Sequence, residues 1–467
     1  METIIQQIVN ELVKKVLKKF ESTNMDLNEL CGQLLEECKR AAQEMVEACA
    51  GELNAEMRAD KEGRRGRLVL KEKNRPRTVL TEIGEVNIHR DCYYDKGEGR
   101  YVMPLDGILG IKKYERVTDA VGARLVEAAT EHSYAKSAQI VTEGAVSRQT
   151  VRNRILRLEV PENEPGEFHK EARELHVFAD EDHVHLQKPG KEKGKKSQTV
   201  PLVTVTEGID TESRRHRTRA PMSFVNEAFD TKELWKAVSG YIGKAYDVDG
   251  LEKIYLHADG GTWIRSGLEE YAQTVHVMDG FHFERDLKRI SAYFQGRNIR
   301  QRMHGAIEKE DRKKADRILQ EMLDMAENGE TEEKVRGFGK YLFGHWEEIT
   351  TRRNADVPGS CTEGQVSHLL SERFSRDPMG WSRAGLGKLS TARIYIRNGG
   401  KLGYRDFAEK ADGPGRYREY AERMLAEMME GVPDWSIFTK EEPQIFDMSS
   451  GTQQALHQIS RCRNILS

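Results

Sequence analysis

Phe178-Ala-Asp-Glu-Asp-His-Val-His-Leu186 and Ile254-Tyr-Leu-His-Ala-Asp-Gly-Gly-Thr-Trp263 decide the fold. Each belongs to an apolar run that reads as a strand and reaches a carboxylate, Asp180 in the first and Asp259 in the second. A third stretch, Gly359-Ser-Cys-Thr-Glu-Gly364, sets Glu363 at the expected start of a helix. Two aspartates on neighbouring strand ends, completed by a distant glutamate, form the kind of oxygen-rich set that gathers divalent cations for phosphodiester chemistry. Asp279 and His282 follow in Val277-Met-Asp-Gly-Phe-His282, three residues apart, so both project from one face of a starting helix.

Working outward, 175–180 is expected as a strand, Glu181–His183 as a tight turn, 184–187 as a second strand and 200–208 as a third. A Gly/Lys-rich loop, 188–196, lies between the last two. A helix over 231–246, a strand over 253–258, a helix near 263–271, a strand over 274–278 and a helix from about His282 complete the pattern. Three strands in sequence, then helix, strand, helix, strand, specify an α/β fold with a mixed sheet, in the order a ribonuclease-H-like core uses. The chain from His282 to Arg352 reads as an all-helical, highly charged insertion before Glu363. On this scheme Asp180 takes precedence over Asp182, because Asp182 falls in the turn and faces solvent, as does Glu181. Trp263 is expected in the core rather than as a stacking platform for a base. His183, His185 and His257 are expected as packing residues or phosphate neighbours.

The rest of the chain divides by composition. Residues 1–60 carry apolar residues at helical spacing (Ile5, Ile8, Val9, Leu12, Val16) and are expected as a helical packing or dimerisation element. Residues 61–115 open with the basic stretch Lys61–Arg77 and continue as a hairpin turning at Gly84, a ribbon able to grip phosphates. Residues 116–160 hold a helix over Ser133–Val141, a turn at Gly144 and a second helix capped by Ser147. This is a helix-turn-helix layout, and Arg148, Gln149, Arg152 and Asn153 are the residue types that reach base edges and phosphates. After the linker 161–166 the expected divisions are a core over 167–290, the helical insertion over 291–355, and 356–467 with Glu363 and further helices.

Composition narrows the function classes. The 467 residues carry a formal net charge of −3, so the chain is no general polycation coating nucleic acid. Its six cysteines (31, 38, 49, 92, 361, 462) form no Cys-x-x-Cys pair, which points away from a zinc ribbon or a disulfide framework and towards a reducing cytoplasm. No run of about 18 apolar residues and no signal-peptide pattern is present, so no membrane association is expected.

Ala179-Asp-Glu-Asp-His-Val-His-Leu-Gln187, Ala258-Asp-Gly-Gly-Thr-Trp-Ile264, Met278-Asp-Gly-Phe-His282 and Cys361-Thr-Glu-Gly364, in that order, resemble the ISLre-type insertion-sequence transposases of bacteria. That group is similar to the Mutator-like transposases, whose ribonuclease-H-like domain carries an Asp, Asp, Glu triad interrupted by a helical insertion. The resemblance implies catalytic and metal-holding roles for Asp180, Asp259 and Glu363, with Asp180 and Asp182 competing for the first place. It implies two Mg²⁺ ions, with Mn²⁺ as a substitute, and a supporting role for Asp279 and His282 in shaping the site and positioning the strand being cut. Expected partners are double-stranded DNA at element ends and target, and at least one further copy of the chain, acting at the bacterial nucleoid. Two alternatives stay open: a DNA-binding regulator or inactive domesticated relative, and a metal-dependent nuclease without joining activity.

Overall fold

The computed structural model describes residues 2–20, 26–187, 196–210, 217–352, 357, 361–376 and 379–407, which fall into two compact units divided between Arg116 and Val117. Much of the Gly/Lys-rich loop and the tail beyond 407, expected as helical, lie outside the described residues.

In the first unit, helices α1 (Glu2–Phe20) and α2 (Leu27–Ala59) precede a sheet of β1 (Leu68–Thr81), β2 (Gly84–Asp95) and β3 (Arg100–Val102), followed by the short helix α3 (Pro104–Ile108). Asp26 caps α2 by accepting the Glu29 amide at 3.0 Å. Ala50, Leu53 and Met57 lie on one face of α2 and bury against Val86, Ile88 and Leu105. Beside that seam the buried Asp91 accepts from Arg58 Nε at 2.7 Å, Asn54 Nδ2 at 3.2 Å and the Asn74 amide at 2.9 Å, pinning the hairpin to the helix. The expected basic ribbon is therefore itself strand, and part of its charge is spent internally. Arg67 pairs with Asp95 at 2.8 Å, while Arg77 pairs with Asp106 at 2.9 Å and donates to the Lys112 and Glu115 carbonyls. Lys71, Lys73 and Arg75 remain on the exposed edge.

The second unit begins with α4 (Asp119–Glu131), α5 (Tyr134–Thr142) and α6 (Arg148–Arg157). Its centre is a mixed five-stranded sheet ordered β10-β9-β4-β5-β8. The strands are β4 (Glu174–His185), β5 (Ser197–Thr206), β8 (Met222–Phe224), β9 (Lys253–Ala258) and β10 (Thr274–Met278); a two-residue pair, β6 (Ile209–Asp210) and β7 (Arg217–Thr218), stands apart. β4, β5 and β8 run antiparallel in succession, whereas β9 and β10 run parallel to β4. One face, with Leu175, Val177, Val203, Val205, Ile254 and Leu256, is buried under Leu234, Val238 and Ile242 of α7 (Thr231–Ala245). After α8 (Thr262–Arg265), the helices α9 (Gly280–Ser291), α10 (Ile299–Ile307), α11 (Arg312–Asp324), α12 (Gly329–Gly344) and α13 (Trp346–Thr351) pack round their own core, including Phe283, Leu287, Met303, Ile318 and Leu342. The chain closes with α14 (Thr362–Val366), a π-helical turn over Ser367–Ser371, α15 (Glu372–Phe374) and α16 (Arg383–Arg397). Among the described residues no helix is long and apolar enough to cross a membrane.

Two expectations need correcting. The expected turn at Glu181–His183 does not form. β4 is one twelve-residue strand whose pairing with β5 continues from His176↔Thr206 through Asp182↔Val200 to His185↔Ser197. Alternation is unbroken through the acids, so the backbone had no need to turn where the side chains became polar. The strand lost at 184–187 is replaced by β8, a three-residue strand that local pattern does not announce. The helix-turn-helix segment and the sheet lie in one compact unit.

Candidate active site

Register gathers the aspartates. β4 and β9 pair in parallel up to Phe178↔His257, so Asp180 and Asp259 each lie two residues beyond that pair. β10 and β9 pair up to Met278↔Ala258, so Asp279 and Asp259 each lie one residue beyond. Asp180, Asp259 and Asp279 thus form a row at one level across three adjacent parallel strands. By strand alternation they share the face opposite α7. Below them on that face lie Phe178 and the buried pair His176 and His257, joined ring nitrogen to ring nitrogen at 3.0 Å. Burial holds the imidazoles well below their ordinary range, His176 at about 4 and His257 at about 3, so this floor is neutral at pH 7.

The row itself is electrostatically crowded. Burial pushes the Asp180 carboxyl up to about 7; the neighbouring Asp259 and Asp279 add to the rise, opposed by the Glu181 amide and by His282. The Glu181 amide donates to Asp180 Oδ1 at 2.8 Å. Asp259 turns the chain by accepting the Gly261 amide at 2.9 Å, and Gly260 takes φ +94° where a Cβ would strike the His345 ring. Asp279 precedes the first residue of α9 and meets His282 Nδ1 at 2.9 Å. That bond raises the His282 pKa against the opposing effect of burial. Trp263 is partly buried against the sheet core, and its Nε1 donates to Glu181 at 2.8 Å, as a packing residue should.

Glu363 is not gathered with them. It lies exposed in the first turn of α14, a helix that packs against β4. Among the described residues no three His, Cys, Asp or Glu side chains converge as a ligand set. The chemistry of the aspartate row nonetheless suits a hard divalent cation. All its donors are oxygens, and a buried carboxyl raised to about 7 beside two others is a site that positive charge would relieve.

Asp182 departs from expectation. It faces the same side as Asp180 and is buried, not solvent-facing. Ser375 Oγ donates to its Oδ1 at 3.1 Å, and its buried Oδ2 has no hydrogen-bond partner among the described residues. Burial raises its pKa, opposed by Ser375. Its period-two spacing from Asp180 was the signal that it shared that face.

The helix-turn-helix residues lie on α6 as expected. Ser133 and Ser147 cap α5 and α6 by accepting the Lys136 and Thr150 amides, each at 3.3 Å, and the turn passes through Glu143 and Gly144 with positive φ. Arg148, Gln149 and Asn153 are exposed, with Gln149 donating to Asn153 at 3.0 Å; Arg152 is half-buried. Sequence reasoning missed what holds α4, the helix that leads into them. Arg393 of α16 donates to the Thr130, His368 and Leu369 carbonyls and pairs with Glu131 at 2.7 Å; Arg373 of α15 donates to Ala129 and His132. Two buried guanidinium groups thereby satisfy the carbonyl end of α4.

The model of the uncharacterised protein family UPF0236 matches residues 21–411. Two UPF0236 proteins of Caldanaerobacter subterraneus subsp. tengcongensis are each 30% identical to this chain. One matches over 437 residues (92% of this chain, 91% of the relative) and the other over 411 (87% of each). Among solved structures, the Drosophila P element transposase strand transfer complex is similar at 9% identity over 67% of this chain and 87% of that one, with a TM-score of 0.18, too low to relate the folds. By the extent of the family match and of the relatives' alignment, the chain belongs to the UPF0236 family.

Proposed function

We propose that this chain is a DDE-type DNA transposase that binds the ends of an insertion sequence and cuts and joins DNA strands on a ribonuclease-H-like core. The observation that carries the reading is the row of Asp180, Asp259 and Asp279 at one level across three adjacent parallel strands, Asp180 within β4 and the other two just past the ends of β9 and β10. Supporting it are the sheet order, three antiparallel strands with two parallel ones added beyond β4, and the helical block that separates the row from Glu363 in sequence. Asp180 and Asp259 would hold Mg²⁺, with Mn²⁺ as a substitute, and Glu363 would complete the set. The proposal requires α14 to carry Glu363 to the row when DNA is bound. The metal would supply activation of the attacking oxygen and stabilisation of the leaving one. Asp279 would keep His282 oriented and cationic beside the scissile phosphate, where it offers positive charge and a hydrogen bond. The exposed Arg148, Gln149 and Asn153, with Arg152, would read the element ends in duplex DNA, two ends requiring at least a dimer.

The test is Mg²⁺-dependent cleavage and strand joining on element-end DNA. Asp180→Asn, Asp259→Asn and Glu363→Gln should each abolish both reactions while end binding persists. A Glu363→Gln protein with full activity would remove that residue from the catalytic set; full activity in Asp180→Asn would sink the reading. A DNA-binding regulator is the second reading, favoured by the exposed position of Glu363. It predicts end binding without cleavage in Mg²⁺ or Mn²⁺.

A further inference from the structure

Beside the aspartate row, the N-terminal half of α9 forms one wall of an open groove of about 510 Å³. Its lining includes Arg285, Lys288, Arg300 and Arg352 against one carboxylate, Glu284, with Phe281 among them. Arg300 bonds Glu284 at 3.0 Å and Arg285 bonds Asp286 at 3.3 Å, whereas Lys288 stands exposed. Phe281 is 51% exposed. A lone exposed Phe needs no explanation, but this one is held in place. Its ring meets the His282 ring edge-on with centroids 5.6 Å apart, and the Arg285 guanidinium lies 5.9 Å from its centroid. His282 in turn bonds Asp279, so a continuous line of contacts joins the groove to the acids. A second hollow, against Gln301 and His304 of α10 and a further carboxylate, Glu308, shares Glu284 and Arg300 with the first.

We propose that this groove seats an unpaired DNA strand adjoining the cleavage point, with Phe281 stacking on one base and Arg285, Lys288 and Arg300 facing its phosphates. An aromatic face within a cationic channel is the combination that binds single strands irrespective of sequence. Bases within a duplex are already stacked on each other and cannot use such a ring. The proposal rests on the transposase reading for its location, but strand binding can be measured without cleavage.

The probe is a single-stranded oligonucleotide carrying 2-aminopurine, titrated with the full chain in EDTA and followed by anisotropy and by base fluorescence. Wild type should bind and quench the base. Phe281→Ala should weaken binding roughly tenfold and abolish quenching, while Phe281→Tyr should restore both. Lys288→Gln should reduce the slope of log affinity against log salt by about 0.7. The same probe annealed to its complement should not be quenched. Unchanged binding and quenching in Phe281→Ala, or no strand binding by wild type, overturns the proposal. Protein that cleaves DNA yet ignores Phe281→Ala refutes the groove alone; protein that binds the strand through Phe281 yet never cleaves refutes the transposase reading alone.

Discussion

Asp180 and Asp182 sit two residues apart on one face of β4, yet their carboxyls meet different surroundings. Asp180 shares its field with Asp259, Asp279 and His282. Asp182 turns to the segment that follows the Glu363 helix, accepting from Ser375. The structure therefore gives Asp182 the task of tying that segment to the sheet. Asp182→Asn keeps an acceptor for Ser375 and should cost under about 1 kcal/mol, whereas Asp182→Ala loses it and should cost about 1–3 kcal/mol. Denaturant titration of both variants checks the contrast, and equal losses would mean that charge rather than the hydrogen bond matters there.

At the scale of elements, the seam between α2 and the β1–β2 hairpin depends on Asp91. Burial alone would raise its pKa, but Arg58, the Asn74 amide and Asn54 outweigh that and hold it below the ordinary carboxylate value. A folded-state pKa lowered in this way gives stability that is fully present above the unfolded value. That stability is lost as pH falls through the folded value, hence below about pH 4. Asp91→Asn should destabilise the protein by about 1.5–3 kcal/mol at pH 7, with the gap narrowing as wild type is acidified. Urea midpoints at pH 7 and pH 3.5 measure this; a constant gap would show that the ion pair contributes nothing. The same seam accounts for the hairpin's muted charge, because arginines serving as internal struts cannot also neutralise phosphates.

Across the second unit, the end of α4 that leads into the helix-turn-helix segment is tied to α15 and α16 through Arg373 and Arg393. Arg393 is nearly inaccessible and serves three carbonyls and a carboxylate at once. A lysine offers a compact ammonium in place of a planar fork and cannot reach all four. Arg393→Ala leaves three carbonyls without their donor and should cost about 2–4 kcal/mol, and Arg393→Lys should recover only part of it. Thermal melts of the two variants decide this. Full rescue by lysine would leave only a charge at that position.

The sequence by itself determined the elements whose signals are local. Period-two runs specified β9 and β10 residue for residue, and serine caps with a glycine turn specified α5 and α6. Charged helical periodicity specified the insertion. The sequence also made Asp180, Asp259, Asp279 and His282 visible, because carboxylates that follow apolar runs are conspicuous against their neighbours. Tertiary structure decided what depends on partners distant in the chain. β4 runs straight through Glu181 and Asp182 because ten successive pairings with β5 outweigh the local turn signal of a polar cluster. β8 pairs as the edge partner of β5, and Asp182 is buried where Ser375 arrives from 193 residues away. Burial, register and the neutralising of arginines are properties of contacts between segments, and no local pattern contains them.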